Sequence, residues 1–153
     1  MQYDAIITRE GKNHLIEFPD CPGCQTFAES ETEVLATAQE ALEGWLEAHL
    51  VSGRVPPRPA SRTHSRVLCV PVSSRLSAAL LIRWGRQDQK LTQGELARRS
   101  GVSQQQIAKL EDPDGNPTLG TLERVAAALG MRATVDFATA PALQHNLAAR
   151  KRA

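Results

Sequence analysis

Three groups of residues in this 153-residue chain have types and spacings that could do chemistry. The first is Gln104 and Gln105, with Lys109 shortly after them. A glutamine amide can pair with both N6 and N7 of adenine, and a lysine can neutralise a backbone phosphate. The second is Cys21-Pro22-Gly23-Cys24. A C-x-x-C pair can hold zinc or exchange disulfides. Structural zinc needs four ligands, and Cys69 with the scattered His14, His49, His64 and His145 makes no second pair. Thiol exchange favours a helix start, whereas this pair precedes a predicted strand, so Cys21 is read as a small apolar residue. The third group is the carboxylates Asp4, Glu17, Asp20 and Glu29. Metal-dependent nucleic-acid cleavage gathers such groups around two ions. The sequence fixes no such arrangement, and the segment is short for a full catalytic set. No catalytic residue, metal or cofactor is assigned, and no phosphate-cradling glycine loop is present.

The glutamines are positioned by two short helices. Thr92 and Glu95 form a T-x-x-E capping box, and Ser103 with Gln106 repeats it as S-x-x-Q. Between them Gly101 permits the left-handed turn that most residues resist. Leu96 and Ala97 give the first helix a buried side, and Ile107 and Leu110 do so for the second. Gln104, Gln105 and Lys109 remain outside, where packing does not account for them. A helix pair of this kind can lay the start of its second helix in the major groove.

Charge divides the chain. Residues 1–60 hold four Lys/Arg against ten Asp/Glu, a net of −6, and residues 61–153 hold fourteen against seven, a net of +7. The basic half suits phosphate neutralisation, and the acidic half suits a basic protein partner. The division falls in the proline-containing stretch SGRVPPRPASRTHS, residues 52–65, a predicted linker whose Val55 to Pro59 favours extended polyproline geometry and can strap onto the first domain. No run of about 18 apolar residues exists for a membrane span. The first residues do not read as a secretory signal, and three cysteines suit a reducing compartment, so a cytoplasmic location is expected.

The first domain reads β-β-β-α. Strands are expected around Tyr3 to Thr8, His14 to Phe18 and Gln25 to Ala28, with imperfect alternation in the first two. Ser30 and Glu33 form a third capping-box pattern before a long helix whose stripe is Val34, Leu35, Ala38, Ala41, Leu42, Trp45 and Leu46. Trp45 is read as core. Residues 1–60 are therefore expected to form a unit able to act alone.

Between the halves, Arg66 to Val72 is a predicted strand. Ser74 to Trp84 is read as the first helix of the C-terminal domain, with Leu76, Ala79, Leu80 and Trp84 facing that domain's core. Arg132 to Phe137 alternates as a final strand, so a small β-element at the ends of the helical domain is expected. Val70, Val135 and Phe137 are the expected dimerisation residues, because one recognition helix reads few base pairs and pairing two fixes a longer site. The tail 138–153 is basic and expected to be mobile.

Thr92 to Glu111, followed by Asn116, Pro117, Thr118, Leu122 and the run Ala126 to Gly130, resembles the lambda and 434 repressor-like helix-turn-helix family over roughly residues 74–137. The resemblance implies that Thr92, Gln93, Ser103, Gln104, Gln105 and Lys109 meet operator DNA, Gln93 touching a phosphate while buttressing the recognition helix. The loop Glu111 to Gly115 is acidic where that family often has a basic residue. Phe18, Pro19, Asp20, Pro22, Gly23 and Cys24, with the exit Val55, Pro56, Pro57 and Pro59, resemble the HicB antitoxin family over about residues 1–60. Ala28 stands at a usual glycine and Cys21 at a usual apolar position. This second resemblance implies a partial, catalytically silent ribonuclease-H-like fold that blocks a HicA-type mRNA-cleaving toxin, with Glu17, Asp20 and Glu29 as toxin-contacting candidates.

The expected architecture is α+β: residues 1–60 for toxin binding, 61–73 as linker and strand, 74–137 for DNA binding, and 138–153 as the tail. The expected partners are the toxin, double-stranded operator DNA and a second copy or a higher even number of copies, with no membrane. The expected function is an antitoxin that represses its own operon. A stand-alone regulator whose first domain binds a ligand or only oligomerises, and an active nuclease, are the alternatives that the residues leave open.

Overall fold

The computed structural model describes residues 1–60 and 67–137. The expected tail 138–153 lies outside the described residues, as do residues 61–66 of the linker. The chain runs β1 (Gln2–Glu10), β2 (Asn13–Glu17), β3 (Gln25–Ala28), α1 (Val34–Val51), β4 (Val67–Pro71), α2 (Ser74–Asp88), α3 (Gln93–Ser100), α4 (Gln104–Leu110) and α5 (Leu119–Ala128).

β1 and β2 form a hairpin over Gly11-Lys12, and Gly11 takes the left-handed φ of 63° that closes it. The sheet has four strands in the order β3-β2-β1-β4, all antiparallel. Side chains alternate across it. Tyr3, Ala5, Ile16, Ala28 and Val70 are buried on one face, where α1 packs with Val34, Ala38, Leu42, Leu46 and Leu50. The helical stripe is as expected at Val34, Ala38, Leu42 and Leu46, whereas Leu35 and Ala41 are only half-buried, as is Trp45, which stacks on His49 with ring centroids 3.7 Å apart. The Ser30 capping box does not form. Glu33 is the N-cap without a side-chain bond, and Ser30 Oγ meets Thr32 Oγ1 instead.

Three further expectations are corrected. The strand after the linker is part of the first sheet: β4 pairs with β1 from Gln2↔Pro71 to Ile6↔Val67. The helix that follows serves the first core. Leu76, Ala79, Leu80 and Trp84 of α2 pack with Tyr3, Val70 and the α1 stripe, while Ile82 joins Leu96, Ile107, Leu110 and Val125 in the second core. An amphipathic period cannot say which partner a buried face meets, and here α2 meets two. The expected final strand does not form either: Met131 to Phe137 has no assigned strand or helix. There is accordingly no small β-element joining the two ends of the helical part among the described residues.

The proline segment straps both parts. Pro56 is buried, the Tyr3 hydroxyl donates to Pro57 O at 2.6 Å, and Trp84 Nε1 donates to Pro56 O at 2.9 Å. Arg83 Nη1 donates to Leu50 O at the end of α1, and Arg58 pairs with Asp88 at the end of α2. α1, the strap and α2 are therefore tied by hydrogen bonds as well as by packing.

Candidate functional site

The three helices α3 to α5 build the exposed edge that carries the glutamines. Both expected capping boxes are present. Thr92 Oγ1 accepts from Glu95 N while Thr92 N donates to Glu95, and Ser103 Oγ accepts from Gln106 N while Ser103 N donates to Gln106 Oε1. Each cap satisfies backbone N–H groups that a helix start otherwise leaves open. Gly101 ends α3 with φ 67°, ψ 30°, which sets the turn into α4. Leu96, Ala97, Ile107 and Leu110 are buried between the helices.

The expected DNA-facing residues distribute as follows. Thr92, Ser103, Gln104, Gln105 and Lys109 are exposed, and Gln93 is half-buried. The starts of α3 and α4 lie side by side: a Cβ placed on Gly94 would stand 3.4 Å from Gln104 Oε1. The two capped N-termini thus present one edge with Thr92 and Gln104 together. A helix start carries partial positive charge, so such an edge favours phosphate on either side of a read groove. Arg98 and Arg99 are exposed at the end of α3.

A buried ion network lies beneath that edge. Glu111, at the end of α4, is only 1 % exposed. Its carboxylate accepts from Arg86 Nη2 at 2.8 Å and from Gln93 Nε2 at 3.1 Å, and Arg83 Nε lies 3.5 Å away. Arg86 Nη1 also donates to Leu91 O at 2.8 Å, which fixes the loop entering α3. Burial alone would push the Glu111 carboxyl up. The hydrogen bonds from Arg86 and Gln93 and the charges of Arg86 and Arg83 outweigh it and hold the group below its ordinary value. Glu111 therefore stays charged, and in doing so it joins α2, α3 and α4 in one network.

This alters the reading of the acidic loop. Glu111 turns inward and contributes no surface charge, and Asp114 is paired with Arg75 Nη1 at 2.9 Å. Gly115 closes the loop against the end of α4, where an added Cβ would stand 2.0 Å from Lys109 O. Glu111 and Arg86 are the site residues that the sequence reading missed. They stand 25 positions apart, and no local period links them.

In the first unit the candidates do not form one cluster. Glu17 and Glu29 are exposed, on β2 and just after β3. Asp20 is half-buried in the loop and accepts from Ala60 N at 2.9 Å, so it anchors the strap. Cys21 and Cys24 lie in the core, and burial first of all pushes their thiols up to about 12 and about 11. They pack as apolar residues, the role read for Cys21. Val70, expected at a dimer surface, is fully buried inside its own chain beside Tyr3. Val135 and Phe137 are 60 % and 93 % exposed.

Known proteins resemble both parts. Residues 3–66 match the model of the HicB-like antitoxins of bacterial toxin–antitoxin systems, and residues 82–135 match a helix-turn-helix model. The chain is 30 % identical over 139 residues to "Antitoxin HicB 1" of Photorhabdus laumondii, covering 90 % of this chain and 87 % of that protein. It is 26 % identical over 132 residues to "Antitoxin HicB" of Escherichia coli strain K12, covering 85 % and 94 %. A shorter stretch of 47 residues is 45 % identical to the "Immunity repressor protein" of Bacillus phage phi105, covering 31 % of this chain and 33 % of that one. No helix among the described residues is long and apolar enough to cross a membrane. With an antitoxin-type unit on one side of α2 and a capped helix-turn-helix on the other, and with near full-length likeness to named antitoxins, the chain belongs to the HicB antitoxin family and carries a helix-turn-helix DNA-binding domain.

Proposed function

We propose that this antitoxin neutralises a HicA-type mRNA-cleaving toxin through its N-terminal unit and represses transcription of its own operon through α4. The observation that carries the reading is the joining, by one shared helix, of an antitoxin-type sheet to a recognition helix whose start is capped and exposed. Gln104 and Gln105 read base edges. Thr92, Gln93, Ser103 and Lys109 contact the backbone, with Gln93 positioned by Glu111. The β-β-β-α unit with its fourth strand is read as a partial ribonuclease-H-like fold. It acts as a non-enzymatic binder in the cytoplasm.

The test is direct. Co-expression with the toxin encoded by the adjacent gene should restore growth and yield a purifiable complex, and the chain should shift DNA from upstream of its own gene ahead of unrelated DNA. Growth arrest that the antitoxin does not relieve, or equal binding to unrelated DNA, overturns the corresponding half.

The DNA-bound form is proposed to be a two-fold dimer. The segment Met131 to Phe137 supports this, since Met131, Val135 and Phe137 are exposed large apolar residues beside the helix-turn-helix. A Val135→Asp variant that stays dimeric in solution and still binds a palindromic site removes this segment from the interface.

A further inference from the structure

We infer that the face of the four-stranded sheet that no described helix covers is the surface on which the antitoxin receives its protein partner, and that the partner presents apolar side chains ringed by Lys and Arg. The inference rests on the proposal that the first unit binds a toxin, and it names the surface used.

Both helices that fill the first core, α1 and α2, pack on the face bearing Tyr3, Ala5, Ile16 and Val70. The register places the alternate residues on the opposite face. Ile6 stands between Val67 on β4 and Glu17 on β2, and Leu15 stands between Thr8 on β1 and Phe27 on β3. Val67, Ile6, Leu15 and Phe27 therefore form a diagonal apolar strip that crosses all four strands. At about 4.8 Å per strand step the strip spans roughly 14 Å across the strands before side chains are added.

A solvated face of an antiparallel sheet is normally polar. Here Phe27 is 51 % exposed, and Val67, Ile6 and Leu15 are each partly exposed. This strip is the physical source of the imperfect alternation in β1 and β2. Exposed aromatic side chains are typical anchors of protein interfaces, and Phe27 supplies one at the β3 end of the strip.

The charges select the partner. Among the described strand residues the exposed charged groups on this face are Glu10 and Glu17, both acidic; Asp4 is buried there and accepts from Cys69 Sγ, while Arg9 lies on the opposite face in register with His14. Glu29 follows β3 directly, and Lys12 sits in the hairpin turn at the far end. An apolar strip flanked by carboxylates is complementary to a basic protein surface with an apolar centre, and the charges speed encounter while the strip holds the complex. The net charge of −6 on residues 1–60 acts in the same sense.

The experiment uses the full chain co-expressed with the tagged toxin from the adjacent gene. Phe27→Ala and Glu17→Lys are made singly and together, with Ala48→Arg on the exposed side of α1 as the control. Each variant is checked by its thermal melt and by its binding to upstream DNA, both expected to match the wild type. Each single variant should lower toxin affinity about tenfold, and the pair should abolish co-purification, whereas Ala48→Arg should bind normally. Normal toxin binding by the folded double variant overturns this face and leaves the toxin-binding proposal standing. Loss of binding in Ala48→Arg alone moves the interface to α1. A wild-type chain that captures no toxin overturns the proposal itself, and this face with it.

Discussion

The two parts of this molecule reach their shape by different routes. In α3 and α4 every boundary is written within a few residues: Thr92 with Glu95, Gly101, then Ser103 with Gln106, each forming the contact its spacing implies. In the sheet unit the same pattern at Ser30 and Glu33 forms no cap, yet α1 still runs for 18 residues because its stripe is buried against strands and α2. The helix-turn-helix is locally specified and tied by one internal ion network. The sheet unit is globally specified and depends on residues as distant as Val70 opposite Tyr3 and Trp84 against Pro56. A short capped helix needs its cap, since isolated short helices are marginal in water, whereas a long helix with a packed stripe does not.

The largest expected effect breaks the sheet unit at its long-range supports. A fragment of residues 1–60 lacks β4 and α2, so β1 loses the partner strand that pairs with five of its residues and the core loses Leu76, Ala79, Leu80 and Trp84. This fragment should show no cooperative urea transition by circular dichroism, while a fragment of residues 1–88 should show one. A cooperative transition in the shorter fragment would mean that the sheet unit is as self-contained as the linker position first indicated.

Next is the ion network under the recognition helix. Glu111→Ala leaves the half-buried Arg86 and Arg83 without their carboxylate and should cost about 2–3 kcal/mol, below the roughly 3–5 kcal/mol of a fully buried pair because both arginines stay partly solvated and keep backbone acceptors. Upstream DNA binding should fall with it. The carboxyl is held below its ordinary value, so its stabilisation is complete above the ordinary carboxylate range and is lost as pH falls from that range down through the lowered value of the folded chain. Wild-type stability followed by chemical denaturation should therefore drop on acidification more steeply than that of Glu111→Gln. Equal acid sensitivity in the two proteins would show that the network does not set the acid response.

A smaller effect tests recognition without touching the fold. Gln104→Ala and Gln105→Ala should each cost about 1–3 kcal/mol of discrimination at particular base pairs, measured by competition gel shifts at fixed salt, with little change on random DNA. Unchanged discrimination in both variants would remove these side chains from base reading.

The smallest effect sharpens the contrast between the caps. Ser103→Ala should cost about 0.5–2 kcal/mol, because it removes the acceptor of Gln106 N. Ser30→Ala should cost a few tenths at most, since a surface position away from such features is worth about 0.5 kcal/mol or less. Similar losses in thermal melts of the two variants would contradict the distinction between local and global specification.

What the amino-acid order determined by itself lies mostly in the helix-turn-helix. Caps, the glycine turn and the exposure of Gln104, Gln105 and Lys109 act within one or two turns of chain, so residue types at fixed offsets suffice to state them. The strands β1 to β3, the helical stripe of α1 and the acidic and basic halves were legible for the same reason, since pleat, helical period and net charge are local or additive quantities. Tertiary structure alone decided that the strand after the linker closes the first sheet and that α2 serves two cores. It also decided that Val70 faces inward and that Glu111 is a buried partner of Arg86 rather than a surface acid. Each of these depends on which buried face meets which, across tens of residues. A pattern of apolar residues records that a face must be covered, and only the folded chain decides what covers it.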